Sequence, residues 1–161
     1  MLITKAIDDF DRDCKLRGLK EKTINDYKDA VNLFTQDSHL LMVEEISASI
    51  IEEYILRLYE KSISKATINT YLRHLRVFIH FLEKQKIIDP EFGVADAIKL
   101  PKMPIRKVSI LSDEQIRLLF SNIDTKDILS VRDALIIALL LDSGLRRNEI
   151  LTILLKNIDL S

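Results

Sequence analysis

Only three glycines and three prolines punctuate 161 residues, and the stretches between them repeat their apolar side chains every three or four positions. Glycine and proline are the residues that interrupt helices, and alternating β-branched runs that would argue for strands are scarce, so the chain is constrained to be nearly all helix. The spacing predicts a first helix over about Thr4 to Leu16, with Ile7, Phe10 and Cys14 on one face and Gly18 as its C-cap. A second covers about Lys22 to Gln36 through Ile24, Tyr27, Val31 and Phe34. A third starts at Ser47 or Ser49, where Ser49 and Glu52 have capping-box spacing, and continues through Tyr54, Ile55 and Leu58. A fourth runs from about Lys65 to Lys86 and presents Ile68, Tyr71, Leu72, Leu75, Phe78, Ile79 and Leu82. Four amphipathic helices suffice for a small bundle, and an all-α fold is expected.

Between Asp89 and Lys107 the texture changes, because Pro90, Gly93, Pro101 and Pro104 exclude a long helix; residues 89–110 read as a linker. Beyond it, Ser112 with Gln115 has the spacing of a capping box, and Ser130 with Asp133 opens a strongly apolar helix that ends near Asp142. Ala134 to Leu141 is apolar at nearly every position, so this helix should be buried on most sides. With few residues after the linker to cover it, the second module reads as the start of a larger domain. The organisation expected is therefore a bundle over 1–88, a linker over 89–110 and a truncated second module over 111–161.

Charge is distributed unevenly. The totals of 24 basic and 25 acidic side chains nearly cancel, yet a net charge says nothing about where the charges lie. Lys61 to Lys86 holds six bases and the single acid Glu83, Lys99 to Lys107 holds Lys99, Lys102, Arg106 and Lys107 with no acid, and the opposite bias falls on Asp37 to Glu60. Lys15 to Lys28 is also rich in bases, Lys20 among them. An internal repeat coincides with the basic segments: Thr23-Ile24-Asn25-Asp26-Tyr27 with Phe34 recurs as Thr67-Ile68-Asn69-Thr70-Tyr71 with Phe78, offset by 44 residues. The apolar members need only packing to explain them. The polar faces pair Lys22, Thr23, Asn25 and Lys28 with Lys65, Thr67, Asn69 and Arg73, with Arg76 one turn further on. Bases supplying charge beside Thr, Asn and helix-start amides suit a phosphate backbone. A solvated helix surface accounts for the same residues without any partner.

The sharpest local motif is Ser143-Gly144-Leu145-Arg146-Arg147-Asn148-Glu149-Ile150. Gly144 ends one helix and Arg146 sits in the turn before the next, where a guanidinium can hold a phosphate bidentately. An Arg146 to Glu149 pair at one-turn spacing is the plain alternative, and it contributes only a few tenths of a kcal/mol.

The order of these features resembles the tyrosine recombinase (phage integrase) family over essentially the whole chain. Thr67-Ile68-Asn69-x-Tyr71-Leu72-Arg73-x-Leu75-Arg76-x-Phe78 comes first, then Lys99-Leu100-Pro101-Lys102, Leu111-Ser112-x-Glu114-Gln115-Ile116, Arg132-Asp133 and Ser143-Gly144-Leu145-Arg146-x-x-Glu149-Ile150. The resemblance implies a four-helix SAM-like core-binding bundle on one face of duplex DNA, a linker, and the first helices of an α+β catalytic domain on the other face. It implies that Arg146 is the first of two arginines that grip the scissile phosphate and that Glu149 supports its turn; Ser143 stands where Thr is more usual. The family also needs a Lys on a β-hairpin, a His-x-x-Arg segment, a further His or Trp and a late Tyr nucleophile, which a sequence ending at Ser161 is not expected to supply; no Tyr follows Arg146, since Tyr27, Tyr54, Tyr59 and Tyr71 all lie in the bundle. The expectation is a DNA-binding recombinase fragment of mobile-element or phage type that does not cut DNA. Its partner would be duplex DNA, with other recombinase protomers admitted on the same duplex and no small-molecule substrate. A helical protein-interaction module without nucleic acid is the alternative.

No cofactor or metal is expected: Cys14 stands alone, and His39, His74 and His80 are too scattered for ligand spacing. The apolar run from Ala134 to Leu141 is far shorter than the roughly 20 residues a membrane span needs. Asp8 and Asp9 interrupt the N-terminal segment where a secretory signal would be apolar, which leaves a cytoplasmic location as the expectation.

Overall fold

Helices dominate because the apolar stripes are long and rarely interrupted. The structure, a computed structural model, describes residues 1–103 and 109–158. The chain divides into two compact units, Met1–Ile105 and Arg106–Ser161. The fold is all-α, and among the described residues the sole β-type pairing is an isolated antiparallel bridge between Leu2 and Met42.

The first unit is a bundle of α1 (Ile3–Leu16), α2 (Glu21–Asp37), α3 (Ala48–Glu60) and α4 (Lys65–Lys84). Side chains three and four apart share a helix face, so Phe10 and Cys14 of α1, Ile24, Val31 and Phe34 of α2, Ile51, Tyr54 and Leu58 of α3, and Ile68, Leu72, Leu75, Phe78, Ile79 and Leu82 of α4 meet in one core. α4 is the axis of the unit, packing on the other three helices. Phe10 meets Phe78 edge-on at 5.4 Å, and Phe34 meets Tyr54 at 5.1 Å. Burying each such side chain contributes about 2 to 3 kcal/mol.

Capping fixes where the helices begin. The Ser47 hydroxyl accepts from the Ile50 amide at 3.4 Å and the Ser64 hydroxyl from the Thr67 amide at 3.1 Å. The Ser49 and Glu52 capping box does not form, because the helix already starts at Ala48 and Ser49 lies inside its first turn. α4 stops at Lys84, two residues earlier than the periodicity suggests, and Lys86 takes a left-handed conformation with φ of 56°.

Beyond α4 the packing continues past residue 89, where a linker was expected to start. A single 3-10 turn, Pro90–Phe92, and Gly93 at φ of 62° redirect the chain. Val94, Ala95, Ala97 and Ile98 then join the bundle core, Leu100 packs on it, and Pro101 is buried. The prolines and glycine here turn the chain back onto the bundle rather than freeing it, because the residues between them are apolar.

The second unit contains α5 (Asp113–Ser121), α6 (Ile128–Ser143) and α7 (Arg147–Leu151). The Ser112 and Gln115 box forms reciprocally, at 3.3 and 2.9 Å. α6 opens earlier than at Ser130: Asp127 caps it, accepting from the Leu129 and Ser130 amides at 3.3 and 3.0 Å. Gly144, at φ of 63°, ends it. The expectation that α6 is buried on most sides is not met, since none of its residues is buried and Leu135 remains 59% exposed. Within this unit α6 packs on the five-residue α7, which is too short to cover it.

Candidate nucleic-acid interface

A helix advances 100° per residue, so Lys65, Asn69, Arg73 and Arg76 fall within about 80° of arc on α4. This arc lies away from Ile68, Leu75 and Phe78, which face the core. α2 occupies one flank of α4: His74 Nδ1 lies 3.2 Å from the Asp26 carbonyl, and the His74 ring meets Tyr27 edge-on at 5.0 Å. Lys65 and Arg73 are exposed, and among the described residues neither meets a carboxylate within ion-pair distance. Lys84 stands eleven residues, about three turns, beyond Arg73 and shares its outer face. Lys84 is one of the six bases between Lys61 and Lys86, and its eleven-residue spacing from Arg73 is the sequence signal that it shares that face.

The other polar residues of α4 have partners within the protein. Asn69 Nδ2 donates to the Pro101 carbonyl at 3.4 Å, and the Arg76 guanidinium donates to the Ile98 carbonyl. Arg76 Nε is buried with no partner among the described residues. Thr67 is half-buried, with its hydroxyl 2.9 Å from that of Ser64. Lys99 and Lys102 are exposed on the segment that follows, Lys99 lying 3.7 Å from Glu52. Arg106 and Lys107 lie outside the described residues.

The matching positions on α2 are arranged differently. Lys22 pairs with Asp26 at 3.2 Å. Lys28 pairs at 3.3 Å with Asp11, which also holds Lys15 at 2.6 Å. The hydrogen bond from Lys15, then the charge and hydrogen bond of Lys28, outweigh desolvation and hold the Asp11 carboxyl below its ordinary range. Thr23 and Asn25 lie about 200° apart around the helix, so they do not share a face with each other. Glu21, Asp26, Asp29 and Asp37 outnumber Lys22 and Lys28 along α2, which leaves that helix net acidic. Lys20 is exposed at the N-cap position. The 44-residue repeat is thus a repeat of packing: Ile24 and Ile68, Phe34 and Phe78 are buried at equivalent places, while the charge belongs to α4.

In the second unit, the Arg146 amide donates to Glu149 Oε2 at 2.7 Å and its guanidinium to Oε1 at 3.3 Å. Glu149 therefore fixes the turn that carries Arg146, whose side chain is otherwise 87% exposed. Among the described residues no group of three or more His, Cys, Asp or Glu can hold a metal ion, and no helix is long and apolar enough to cross a membrane.

The family described as phage integrase, N-terminal SAM-like domain, matches residues 7–89. The chain is similar to tyrosine recombinase XerC of Psychromonas ingrahamii, 33% identical over 150 residues that cover 90% of this chain and 48% of the relative. It is also similar to tyrosine recombinase XerD of Oceanobacillus iheyensis, 29% identical over 160 residues, 94% of this chain and 52% of the relative. XerC of Bacillus pumilus is 28% identical over 142 residues, 86% of this chain and 46% of the relative. The chain spans about half the length of the curated relatives it matches.

Proposed function

The chain belongs to the tyrosine recombinase (phage integrase) family, and from that membership we propose that residues 1–161 bind duplex DNA through the open face of α4 without breaking it. The observation that carries the reading is the basic surface of α4, where Lys65, Arg73 and Lys84 are exposed and free of carboxylate partners among the described residues, with Lys102 exposed on the segment beyond. Such charges act on phosphates regardless of base sequence. The core-binding role belongs to the bundle, and residues 111–161 are the opening of a catalytic domain in which Arg146 takes the place of the first phosphate-gripping arginine and Glu149 supports it. One arginine supplies electrostatic help but no nucleophile. Every tyrosine in these residues lies in α2, α3 or α4, with Tyr54 buried in the core.

The test is fluorescence anisotropy of a labelled duplex across a salt series. Four phosphate contacts imply a log-log slope of about −3 to −4, and Lys65→Ala with Arg73→Ala should flatten it by about 2. Absence of binding at low salt sinks the reading. A covalent adduct with a suicide duplex substrate would overturn the claim that these residues do not cut. The helical interaction module keeps one observation in its favour, the exposed apolar side chains of α6 such as Ile128 and Leu135; it predicts no salt-sensitive duplex binding.

A further inference from the structure

Three residues of α4 at a strict spacing of seven meet three residues of the following segment at a strict spacing of three. Glu83 Oε1 accepts from the Ala95 amide at 3.4 Å, the Arg76 guanidinium donates to the Ile98 carbonyl, and Asn69 Nδ2 donates to the Pro101 carbonyl at 3.4 Å. Residue numbers rise along the segment as they fall along the helix, so the two run antiparallel. From Ile98 to Pro101 the segment has no regular secondary structure. Seven helical residues advance about 10.5 Å, and three extended residues span about 10 Å, so the register of the lower two contacts is self-consistent. Along the same stretch the side chains of Val94, Ala95, Ala97 and Ile98 are buried in the bundle core. The Arg76 guanidinium is committed to this seat: it is half-buried, and its Nε is sealed from solvent.

We propose that Asn69, Arg76 and Glu83 form a rail on α4 that seats residues 95–101, and that Asn69 and Arg76 are positioning residues rather than phosphate ligands. The rail fixes where the chain leaves the bundle and so sets where Lys102 stands relative to the basic face of α4, while Lys99 lies 3.7 Å from Glu52 of α3. Arginine suits the middle position, because the backbone carbonyl of the buried Ile98 needs a strong donor and the long stem covers apolar surface on the way. The effect on affinity rests on the DNA-binding reading above; the seating itself does not.

The experiment uses the whole chain with Asn69→Ala, Arg76→Met, which keeps an apolar stem, and Arg73→Ala as the phosphate-contact comparison. Heteronuclear 15N relaxation without DNA should show the Lys99, Leu100 and Lys102 amides gaining fast motion in Asn69→Ala and Arg76→Met, and not in Arg73→Ala. Binding to duplex should weaken roughly three- to tenfold in the two rail variants, as expected when one or two groups lose preorganisation, with the salt slope unchanged. Arg73→Ala should reduce that slope by about 1. If the relaxation profile of residues 99–102 stays as in the parent, the rail is refuted. A salt slope lowered by about 1 in Arg76→Met makes Arg76 a phosphate ligand and overturns its positioning role; for the uncharged Asn69, weakened duplex binding with the 99–102 relaxation profile unchanged does the same. Should Arg76→Met fail to fold, Asn69→Ala alone decides, since its side chain is at the bundle surface. Failure of the parent chain to bind duplex removes the affinity argument, and the relaxation data still decide the seating.

Discussion

Tyr54 shows how a single atom can be at odds with its surroundings. Its ring is 1% exposed and stacks edge-on against Phe34, yet its hydroxyl is buried with no hydrogen-bond partner among the described residues. Burial, with the Asp37 charge adding to it, pushes the phenol far above its ordinary ionisation range. A buried polar group without a partner costs about 1 to 3 kcal/mol. Tyr54→Phe keeps the ring contact and removes the orphan atom, so it should leave the protein as stable or raise its stability by about 1 kcal/mol; thermal and urea unfolding measure this. A midpoint lowered by several degrees would mean that the hydroxyl has a partner in solution. The apolar spacing of α3 places Tyr54 on the core face, but such spacing carries no information on whether a hydroxyl is satisfied. The same blindness applies to Arg76 and Asn69: their residue types suit phosphate, and only the fold reveals carbonyls within their reach.

At the level of helices, Asp37 ties the end of α2 to α3. Its carboxylate accepts from Arg57 Nε at 2.7 Å and from Lys61 Nζ at 2.5 Å, and the Arg57 guanidinium also donates to the Ser38 hydroxyl at 3.0 Å. Burial opposes the charged form, but the hydrogen bonds and charges of Lys61 and Arg57 win, and the carboxyl is held below its ordinary range. A carboxyl lowered on folding stabilises the native state above its unfolded pKa of about 3.9, and that contribution is lost as pH falls through the folded value. Glu44, Glu45 and Asp11 are lowered as well, so acid unfolding should begin below about pH 4. Asp37→Asn should cost about 1 kcal/mol at neutral pH, about 4 °C in Tm, and this difference should shrink toward zero in acid. Equal losses at pH 7 and pH 3 would show that packing, not charge, is at stake. Helix existence and core faces were legible from the apolar spacing of three and four residues. Starts were less so, because Ser47 and Ser49, or Asp127 and Ser130, offer equivalent chemistry, and the choice falls to whichever backbone amide lies within reach.

Across the whole molecule the two units differ in how much apolar surface they hide. The bundle encloses a core drawn from four helices, from Leu40, Val43, Ile46 and Ile88 in the connections, and from Val94, Ala95, Ala97 and Ile98, whereas Ile150 is the one buried apolar residue among the described residues from 109 on. Local stability follows buried contact, so backbone amides should exchange along the same divide. Hydrogen exchange followed by mass spectrometry should leave peptides of α1, α2 and α4 protected for hours and those of α5 and α6 exchanged within minutes. Equal protection would require a cover for α6. The near-neutral net charge of −1 was the least informative property of the sequence. The acidic surplus of α2 and α3 cancels the bases of α4 in the sum while leaving the surface of α4 uncancelled.

Cys14, on the inner face of α1, is fully buried, and burial raises its thiol above the ordinary range. Thiolate is the reactive form, so this side chain is shielded twice, by access and by protonation. It is the one cysteine in the chain. The folded protein therefore offers a blank background for thiol chemistry: a cysteine placed on α4 and another beside Lys102 can carry a dye pair or a spin-label pair without first removing a native residue. The distance between α4 and the segment that leaves the bundle becomes directly measurable, with and without duplex, in an otherwise unaltered core.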